Sequence, residues 1–247
     1  MKPNLIGNGI FAHRGNMSVF PENTMESFIS AIEEGADWIE LDIQKTKDGH
    51  LVVTHDLSTE RVTNEKFIVT NSNLIDLKKL NFGINAKDNK FYELPVLGDV
   101  FQLINKYKKI KVTIQPKNNG LIKDTIQLAD KFNVLNNIAF NDINCEYLIE
   151  AKQIYPQIPV FWDRLPNTDF ETDLFIAHQF NFDCLMYLKE GLNNEKTQKI
   201  KQEGFVAGAC VVNDLNEMIN FIEMGVDAFY TDYPGILFKL KNQNNGK

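Results

Sequence analysis

The chain has 247 residues, of which 43% are hydrophobic and 24% are charged, proportions that allow a globular domain with a large buried core. The formal net charge of −7 argues against nucleic acid or an anionic membrane surface as a partner, because either would favour a basic face. A small phosphate-bearing molecule is still compatible, since a few local cations can outweigh the overall charge.

The sequence shows no targeting or membrane-spanning signal. The N-terminal stretch MKPNLIGNGIFAHRG lacks the apolar run of a signal peptide, and no run of about 18 apolar residues could cross a bilayer. The three cysteines lie far apart and form no CxxC pair, which argues against a disulfide framework or a zinc site. We therefore expect a cytoplasmic protein without stable membrane insertion.

Short β-rich runs alternate with amphipathic stretches of helical length along most of the chain. The predicted strands are residues 9–13, 37–43, 110–114, 137–140, 159–162, 184–188, 205–212 and 227–231. The predicted helices are residues 24–34, 99–107, 121–132, 144–155, 172–180, 194–203 and 215–224. This alternation predicts an α/β fold, a (β/α)8 TIM barrel formed by a single domain over residues 1–247. A doubly wound open sheet is less favoured, because the sequence has neither a GxGxxG nor a Walker lysine motif.

Residues 58–97 interrupt the alternation. This segment is polar, rich in Asn and Lys, and only weakly periodic. About forty residues without a clear helix are too long for an ordinary connection, so we predict a small capping insertion after the second strand. The insertion directly follows a histidine, His55, which belongs to the candidate site described next.

Two carboxylates, Glu40 and Asp42, lie at the end of the second predicted strand. Because they are two residues apart, they project from the same face of the strand, at the end of the barrel where barrel enzymes place their active sites. Two inward carboxylates require a cation close by. That cation is either a divalent metal ion or the Lys or Arg of a buried ion pair.

A hairpin is predicted directly after this strand, because Asp48-Gly49 lies between two β-like runs. A two-residue turn at this dipeptide places Asp42 opposite His55 on the returning strand. We therefore expect His55 to share a face with Glu40 and Asp42.

His13 ends the first predicted strand and is followed by Arg14. Neighbouring barrel strands would place His13 beside the two carboxylates, and Arg14 offers a planar charged fork suited to a phosphate or carboxylate. A cation, two imidazoles and an arginine favour phosphoryl chemistry on a diester, with one histidine removing a proton and the other protonating the leaving oxygen. An acyl hydrolase is not favoured, since no GxSxG motif is present.

The motifs that carry these residues occur in a recognisable order. They are AHRGN, PENTMESF and GADWIELDIQKTKDGHLVVTHD near the N-terminus and VNDLNEMINFIEMGVDAFYTDYP near the C-terminus. Together they resemble the glycerophosphodiester phosphodiesterase family, of the PI-phospholipase-C-like barrel class. The resemblance is close over about a third of the chain and covers the remainder in outline.

The resemblance implies a role for each matching residue. His13 and His55 match the general acid/base pair of the family, and Arg14 and Lys117 match contacts to the substrate phosphate. Members of the family cleave small glycerophosphodiesters to glycerol 3-phosphate and an alcohol, with the glycerol 2-hydroxyl as internal nucleophile. This is a reaction of lipid and glycerol metabolism.

The implied metal site departs from the family pattern at one position. Glu40 and Asp42 match two ligands of a divalent metal ion, Mg²⁺ or Ca²⁺. The third ligand is usually the Glu of an IE-x-K motif, where this chain reads IQPK, so the third position is Gln115. An amide oxygen can coordinate either ion but adds no charge, so we expect weaker metal binding.

Two further departures concern the substrate pocket. The tryptophan-bearing W-T-V-N of the family appears as CVVN from Cys210 to Asn213, and a serine hydroxyl is lost at Ala139. The missing tryptophan and Gln115 leave open a phosphodiesterase for a different small diester, such as a sugar phosphodiester or a lysophospholipid. Gln115 alone leaves open a second alternative, a non-catalytic phosphate-binding barrel.

Overall fold

Eight parallel strands close into a barrel in the computed structural model of the protein, which describes residues 5–84 and 86–244. The sheet consists of β1 (Ile10–His13), β2 (Trp38–Lys45), β3 (Leu51–Val53), β4 (Lys111–Pro116), β5 (Ile138–Asp142), β6 (Val160–Arg164), β7 (Cys184–Leu188), β8 (Val206–Cys210) and β9 (Ala228–Thr231). The ring closes because β1 pairs with both β2 and β9, while β3 pairs antiparallel with β2 outside the ring. The predicted (β/α)8 TIM barrel is confirmed.

Helices connect and cover the strands. In the described part of the chain they are α1 (Met25–Glu33), α2 (Glu60–Thr63), α3 (Leu74–Leu77), α4 (Leu97–Lys106), α5 (Leu121–Lys131), α6 (Cys145–Ile154), α7 (Phe170–Gln179), α8 (Asn194–Gln202), α9 (Leu215–Glu223) and α10 (Pro234–Asn244). The sequence did not predict α10, because its apolar and polar residues separate only weakly onto two faces. No described helix is both long and apolar enough to cross a bilayer.

Side chains two residues apart along the barrel strands form layers inside the barrel. In the lower layer, Phe11 stacks on Trp38 with ring centroids 5.3 Å apart, and Phe161 meets Trp38 edge-on at 5.1 Å. The residues two positions later on these same three strands are His13, Glu40 and Asp163. The aromatic layer is therefore the floor on which the polar side chains of the barrel mouth rest.

The predicted insertion lies between β3 and α4. Its two helices, α2 and α3, have four residues each, which explains why the sequence shows no sustained helical period. The segment nevertheless has a small apolar core on the outer strand β3, formed by Val52, Val69, Leu77, Leu80, Phe82 and Leu94. This core gives a largely polar segment a defined position beside the barrel mouth.

The predicted register of the β2–β3 hairpin is wrong by one residue. Ile43 pairs with Val53, and the loop contains three residues instead of two. A three-residue loop with a glycine in the left-handed region is an alternative solution for the same sequence signal. As a result Thr54, not His55, lies opposite Asp42, and the Thr54 N–H donates to the Asp42 carbonyl at 3.0 Å.

Candidate active site

The first two barrel strands bring His13 and Glu40 together, as the sequence predicted. The two residues are direct neighbours in the parallel register of β1 and β2. The chain then turns at Arg14, which has a φ of 54°, and the Arg14 backbone N–H donates to Glu40 Oε2 at 3.1 Å. This turn anchors the buried Glu40 carboxylate to the end of β1.

An acid that the sequence reading missed holds His13 in place. Asp232 lies directly after β9, and its Oδ1 is 2.8 Å from Nδ1 of His13. Its other oxygen accepts from Nδ2 of Asn213 at 2.7 Å. Burial disfavours the charged imidazole, but the hydrogen bond to Asp232 and the charge of Glu40 outweigh it and raise the pKa of His13. The available sequence signal was the position of Asp232 at a strand end, within the TDYP motif.

Asp42 lies at the centre of a group of cations. Lys117 Nζ is 2.8 Å from Asp42 Oδ1, Arg14 Nε is 3.3 Å from Oδ2, and Asn23 Nδ2 donates to Oδ2 at 2.8 Å. Burial alone would raise the pKa of this carboxyl, but Lys117 and Arg14 hold it below its usual value. Arg14 and Lys117, the two predicted phosphate contacts, thus meet at one carboxylate.

The PENT motif connects this group to the first barrel helix. Thr24 caps α1 and forms a capping box with Ser27. The preceding Asn23 contacts Asp42, and Glu22 accepts from Nη1 of Arg14 at 2.9 Å. The motif therefore fixes both the start of a helix and the orientation of Arg14.

His55 reaches the site from the segment after β3. The buried side chain of Gln44 donates to backbone carbonyls of residues 54–56 and so holds this segment in place. His55 Nδ1 is 2.6 Å from Asp56 Oδ1, and Arg61 of the insertion donates to the second oxygen of Asp56. His55 is among the charges that lower the pKa of Asp42, after Lys117 and Arg14, but its direct side-chain partner is Asp56, so the predicted pairing opposite Asp42 does not form.

The insertion and the barrel are joined by one ion-pair chain. Arg61 donates from Nη1 and Nη2 to the two oxygens of Glu22, at 2.6 and 2.8 Å. Because Glu22 also binds Arg14, the chain runs from His55 and Asp56 through the insertion to the phosphate-contact candidate. The capping insertion therefore contributes directly to the geometry of the site.

The opposite side of the mouth contains acids and amides. Asn141 Nδ2 donates to Asp163 Oδ2 at 3.0 Å, Gln115 Nε2 is 3.5 Å from the same oxygen, and the Gln115 amide oxygen contacts Lys117. Burial, aided by the charge of Glu40, raises the pKa of Asp163 to about 8. Burial and the charge of Asp42 raise the pKa of Glu40 to about 7. These two carboxyls lie in the half of the site that has few cations.

The predicted metal ligands Glu40, Asp42 and Gln115 all offer oxygen donor atoms. Within residues 5–84 and 86–244, no three His, Cys, Asp or Glu side chains form a group that could hold a metal ion. Glu40 and Asp42 nevertheless provide two buried carboxylates beside the amide oxygen of Gln115. Mg²⁺ is commonly held by one or two carboxylates together with substrate phosphate oxygens, so this donor set fits such an ion.

The two other departures from the family pattern, at Cys210 and Ala139, lie at different depths in the barrel. Cys210 and Val211 line the same cavity as His13 and Glu40, so the missing tryptophan leaves space within the site. Ala139 is fully buried in the apolar layer below. The other two histidines of the chain, His50 and His178, have side chains 54% and 51% exposed and belong to other surface contacts.

The fold and the site together indicate a class of protein. A (β/α)8 barrel presents two imidazoles, two cations and several buried carboxylates at the carboxyl ends of its strands. Histidines able to exchange protons beside clustered cations suit an enzyme that acts on a phosphate-bearing substrate.

Comparison with known proteins identifies the family. The profile of the Glycerophosphoryl diester phosphodiesterase family matches residues 13–236. A glycerophosphodiester phosphodiesterase from Caldanaerobacter subterraneus is 31% identical, with 94% of this chain and 96% of that protein covered. A human lysophospholipase D is 30% identical, with 90% and 82% covered. The chain belongs to the Glycerophosphoryl diester phosphodiesterase family, and the predicted enzyme class is confirmed.

Solved structures show the same fold. A putative glycerophosphoryl diester phosphodiesterase from Silicibacter pomeroyi aligns with a TM-score of 0.85 at 18% identity, covering 95% of this chain and 93% of that one. A phosphodiesterase from Oleispira antarctica, solved in complex with the product sn-glycerol-3-phosphate, aligns with a TM-score of 0.81 at 24% identity, covering 93% and 94%. At these identities the likeness supports the barrel architecture.

Proposed function

We propose that this protein hydrolyses glycerophosphodiesters to glycerol 3-phosphate and an alcohol with the help of a divalent metal ion. The observation that carries the proposal is the grouping of His13, Arg14 and Lys117 around buried carboxylates at one barrel mouth, to which the His55–Asp56 pair is joined by the ion pairs of Arg61 and Glu22. The names of the relatives and the product bound by the Oleispira enzyme support the substrate class. The reaction would belong to cytoplasmic lipid and glycerol metabolism, as predicted from the sequence.

The two histidines are suited to different proton transfers. Asp232 and Glu40 favour the charged form of His13, which makes it the better donor to the leaving oxygen. His55 would act as the base that takes a proton from the attacking hydroxyl, either of water or of the glycerol itself. Each ring has its Nδ1 on a carboxylate, so Nε2 would be the nitrogen that exchanges a proton with the substrate.

Arg14 and Lys117 would bind the non-bridging phosphate oxygens. Asp42 contacts both side chains and so holds two positive groups close together at a buried position. Cations that are positioned before the substrate arrives stabilise the charge that develops on the phosphate in the transition state. Asp42 would therefore assist the reaction by orienting these cations.

Glu40 and Asp42 would hold a divalent ion, Mg²⁺ or Ca²⁺, with Gln115 at the third position. When bound, the ion would polarise the phosphate and neutralise part of its charge. Both carboxylates are almost fully buried, with Glu40 2% and Asp42 0% exposed, so a bound ion would also offset part of the cost of their burial.

The proposal is tested by release of glycerol 3-phosphate from glycerophosphocholine in a coupled assay. We expect turnover with Mg²⁺ or Ca²⁺, loss of turnover in EDTA, and a fall in kcat of about 10²- to 10⁴-fold in His13→Ala and His55→Ala. His178→Ala is the matched control, because His178 lies on an exposed ion pair with Glu203 and should leave kcat unchanged. Absence of turnover on any diester with Mg²⁺, Ca²⁺ or Mn²⁺ would refute the proposal.

A second candidate substrate is a diester with a larger apolar alcohol, such as a lysophospholipid. Cys210 leaves space in the cavity, and apolar side chains are exposed on the loops around the mouth, with Val19 65% and Leu57 54% exposed. Rates on glycerophosphocholine and lysophosphatidylcholine would be compared in the wild type and in Cys210→Trp. A selective loss of the lysophospholipid rate in the variant would favour this substrate.

A further inference from the structure

Asp163 is a buried carboxylate that the proposed reaction does not use. It lies at the carboxyl end of β6, directly above Phe161 of the aromatic floor, and only 8% of the residue is exposed. Its Oδ1 is buried without a hydrogen-bond partner among the described residues. An isolated carboxylate oxygen in such a position is unfavourable, so its presence calls for a partner that the chain itself does not supply.

The surroundings of Asp163 show which kind of partner is missing. With His13, Glu40, Gln115 and Asn141 it lines a cavity of about 160 Å³ at the barrel mouth. Its Oδ2 is contacted by the amide nitrogens of Asn141 and Gln115. No Lys, Arg or His nitrogen of the described residues forms an ion pair with it, and the neighbouring Arg164 pairs instead with Asp173 at 2.6 Å.

The partners on Oδ2 fix the orientation of the carboxylate. Two amide donors on one oxygen leave Oδ1 as the free donor atom, an arrangement in which outer-shell hydrogen bonds orient a metal ligand. Gln115 takes part through its nitrogen, while its oxygen contacts Lys117. The Gln115 nitrogen therefore orients Asp163, and only the Gln115 oxygen could take the third metal position put forward above.

We propose that Asp163 is a further carboxylate ligand of the divalent cation and shares that ion with Glu40. The proposal rests on the metal dependence put forward under Proposed function. Asp163 then restores, from β6, the negative charge that the sequence lacks at Gln115 on β4. Two carboxylates facing one cavity, with substrate phosphate oxygens completing the shell, satisfy the preference of Mg²⁺ and Ca²⁺ for oxygen ligands.

The test is calorimetric titration of Ca²⁺ and of Mg²⁺ into the metal-free protein. We expect Asp163→Asn to weaken binding roughly tenfold or more, since ion affinity follows the charge count of the ligands. Gln115→Glu should tighten binding, and the double variant Gln115→Glu/Asp163→Asn should return towards the wild-type affinity. Asp142→Asn is the matched control, because this acid lies one strand away and is absent from the lining of the cavity.

Thermal unfolding gives a readout that a purely structural role would not produce. Without metal, Asp163→Asn should melt at or above the wild-type temperature, because it removes a buried carboxylate that has no cation. The rise in Tm on adding Ca²⁺ should be smaller in the variant than in the wild type. A lower Tm without metal, together with unchanged Ca²⁺ affinity, would assign Asp163 a structural role and overturn the proposal.

The outcomes separate this inference from the proposed function. If the wild type binds Ca²⁺ or Mg²⁺ and Asp163→Asn binds equally well, only the assignment of Asp163 fails. If the wild type binds neither ion, the metal dependence itself fails together with this assignment. Should Asp163→Asn not fold, Asp163→Ser carries the same titration, and an unchanged Ca²⁺ affinity in that variant would also overturn the proposal.

Discussion

Asp42 and Asp163 are buried aspartates at the same barrel mouth, yet their environments are opposite. Asp42 contacts Lys117, Arg14 and Asn23, and its pKa lies below the usual value. Asp163 is contacted by two amides, and its pKa is raised to about 8. The charge of Asp42 is thus balanced by Lys117 and Arg14, whereas Asp163 has no ion-pair partner among the described residues.

This difference separates two tasks within one site. In the proposed reaction, the cation-rich half around Asp42 would receive the anionic part of a substrate. The acidic half around Glu40 and Asp163 would receive the divalent cation. Both halves rest on the same aromatic floor, so the difference arises only from the last residues of each strand and from the loops that follow.

The largest expected effect comes from neutralising each acid in turn in metal-free protein. Asp42→Asn should lower the free energy of unfolding by about 3–5 kcal/mol, because it leaves Lys117 and Arg14 as buried neighbours without their shared anion. Asp163→Asn should leave the free energy of unfolding unchanged or raise it. Urea denaturation of both variants in EDTA measures these changes. Equal destabilisation by the two variants would contradict the contrast drawn between the halves.

A second substitution tests the planar fork in the cation-rich half. Arg14→Lys retains the charge but cannot contact Glu22 and Asp42 at once in the same geometry, so kcat/KM should fall roughly 10- to 100-fold. Steady-state kinetics on glycerophosphocholine measures the change. Lys45→Arg, on an exposed ion pair with Asp124, is the control. An unchanged kcat/KM in Arg14→Lys would show that Arg14 does not bind the substrate phosphate through its planar fork.

A third change acts through His13, between the two halves. Asp232→Asn should lower the pKa of His13 by removing its main favourable partner, so activity that needs the protonated imidazole should decline at lower pH than in the wild type. The pH dependence of kcat/KM measures this shift. An alkaline limb at the wild-type position would exclude His13 as the proton donor.

Asp232→Asn should also lower the free energy of unfolding, by an amount that depends on pH. Because folding raises the pKa of His13, its contribution is complete below the unfolded value of about 6.5 and is lost as pH rises through the folded value. Asp232→Asn should therefore destabilise by about 1–2 kcal/mol near pH 6 and by less near pH 9. A loss of stability in Asp232→Asn that grows with pH would contradict the proposed pairing of Asp232 with charged His13.

The smallest effect is expected where the insertion meets the cation-rich half. The Arg61 side chain is 47% exposed, so Arg61→Ala should cost at most about 1 kcal/mol, and less at high salt. Activity should fall modestly because Glu22 and Asp56 lose a shared partner. Lys66→Ala, on a more exposed ion pair in the same insertion, should change neither quantity. Equal losses of activity in Arg61→Ala and Lys66→Ala would show that the contacts of Arg61 do not specifically support the active site.

Much of the fold could be predicted from the sequence, because strand and helix periods are local properties. The motifs around His13, Glu40 and Asp42 could be placed at strand ends for the same reason. The register of the β2–β3 hairpin could not be predicted, since the Asp48-Gly49 signal allows turns of two or three residues. Helix α10 was missed because its burial depends on packing against the barrel, and its own pattern is weak.

By itself, the sequence determined the family, the order of most elements and the candidate residues of the site, since these follow from local patterns and motif spacing. Only the tertiary structure decided how the charges are shared. Asp232 reaches His13 across 219 positions of the chain, and Asp163 meets Gln115 across 48. Closure of the barrel brings such distant residues within hydrogen-bond distance, and the electrostatic balance of a buried group depends on those neighbours.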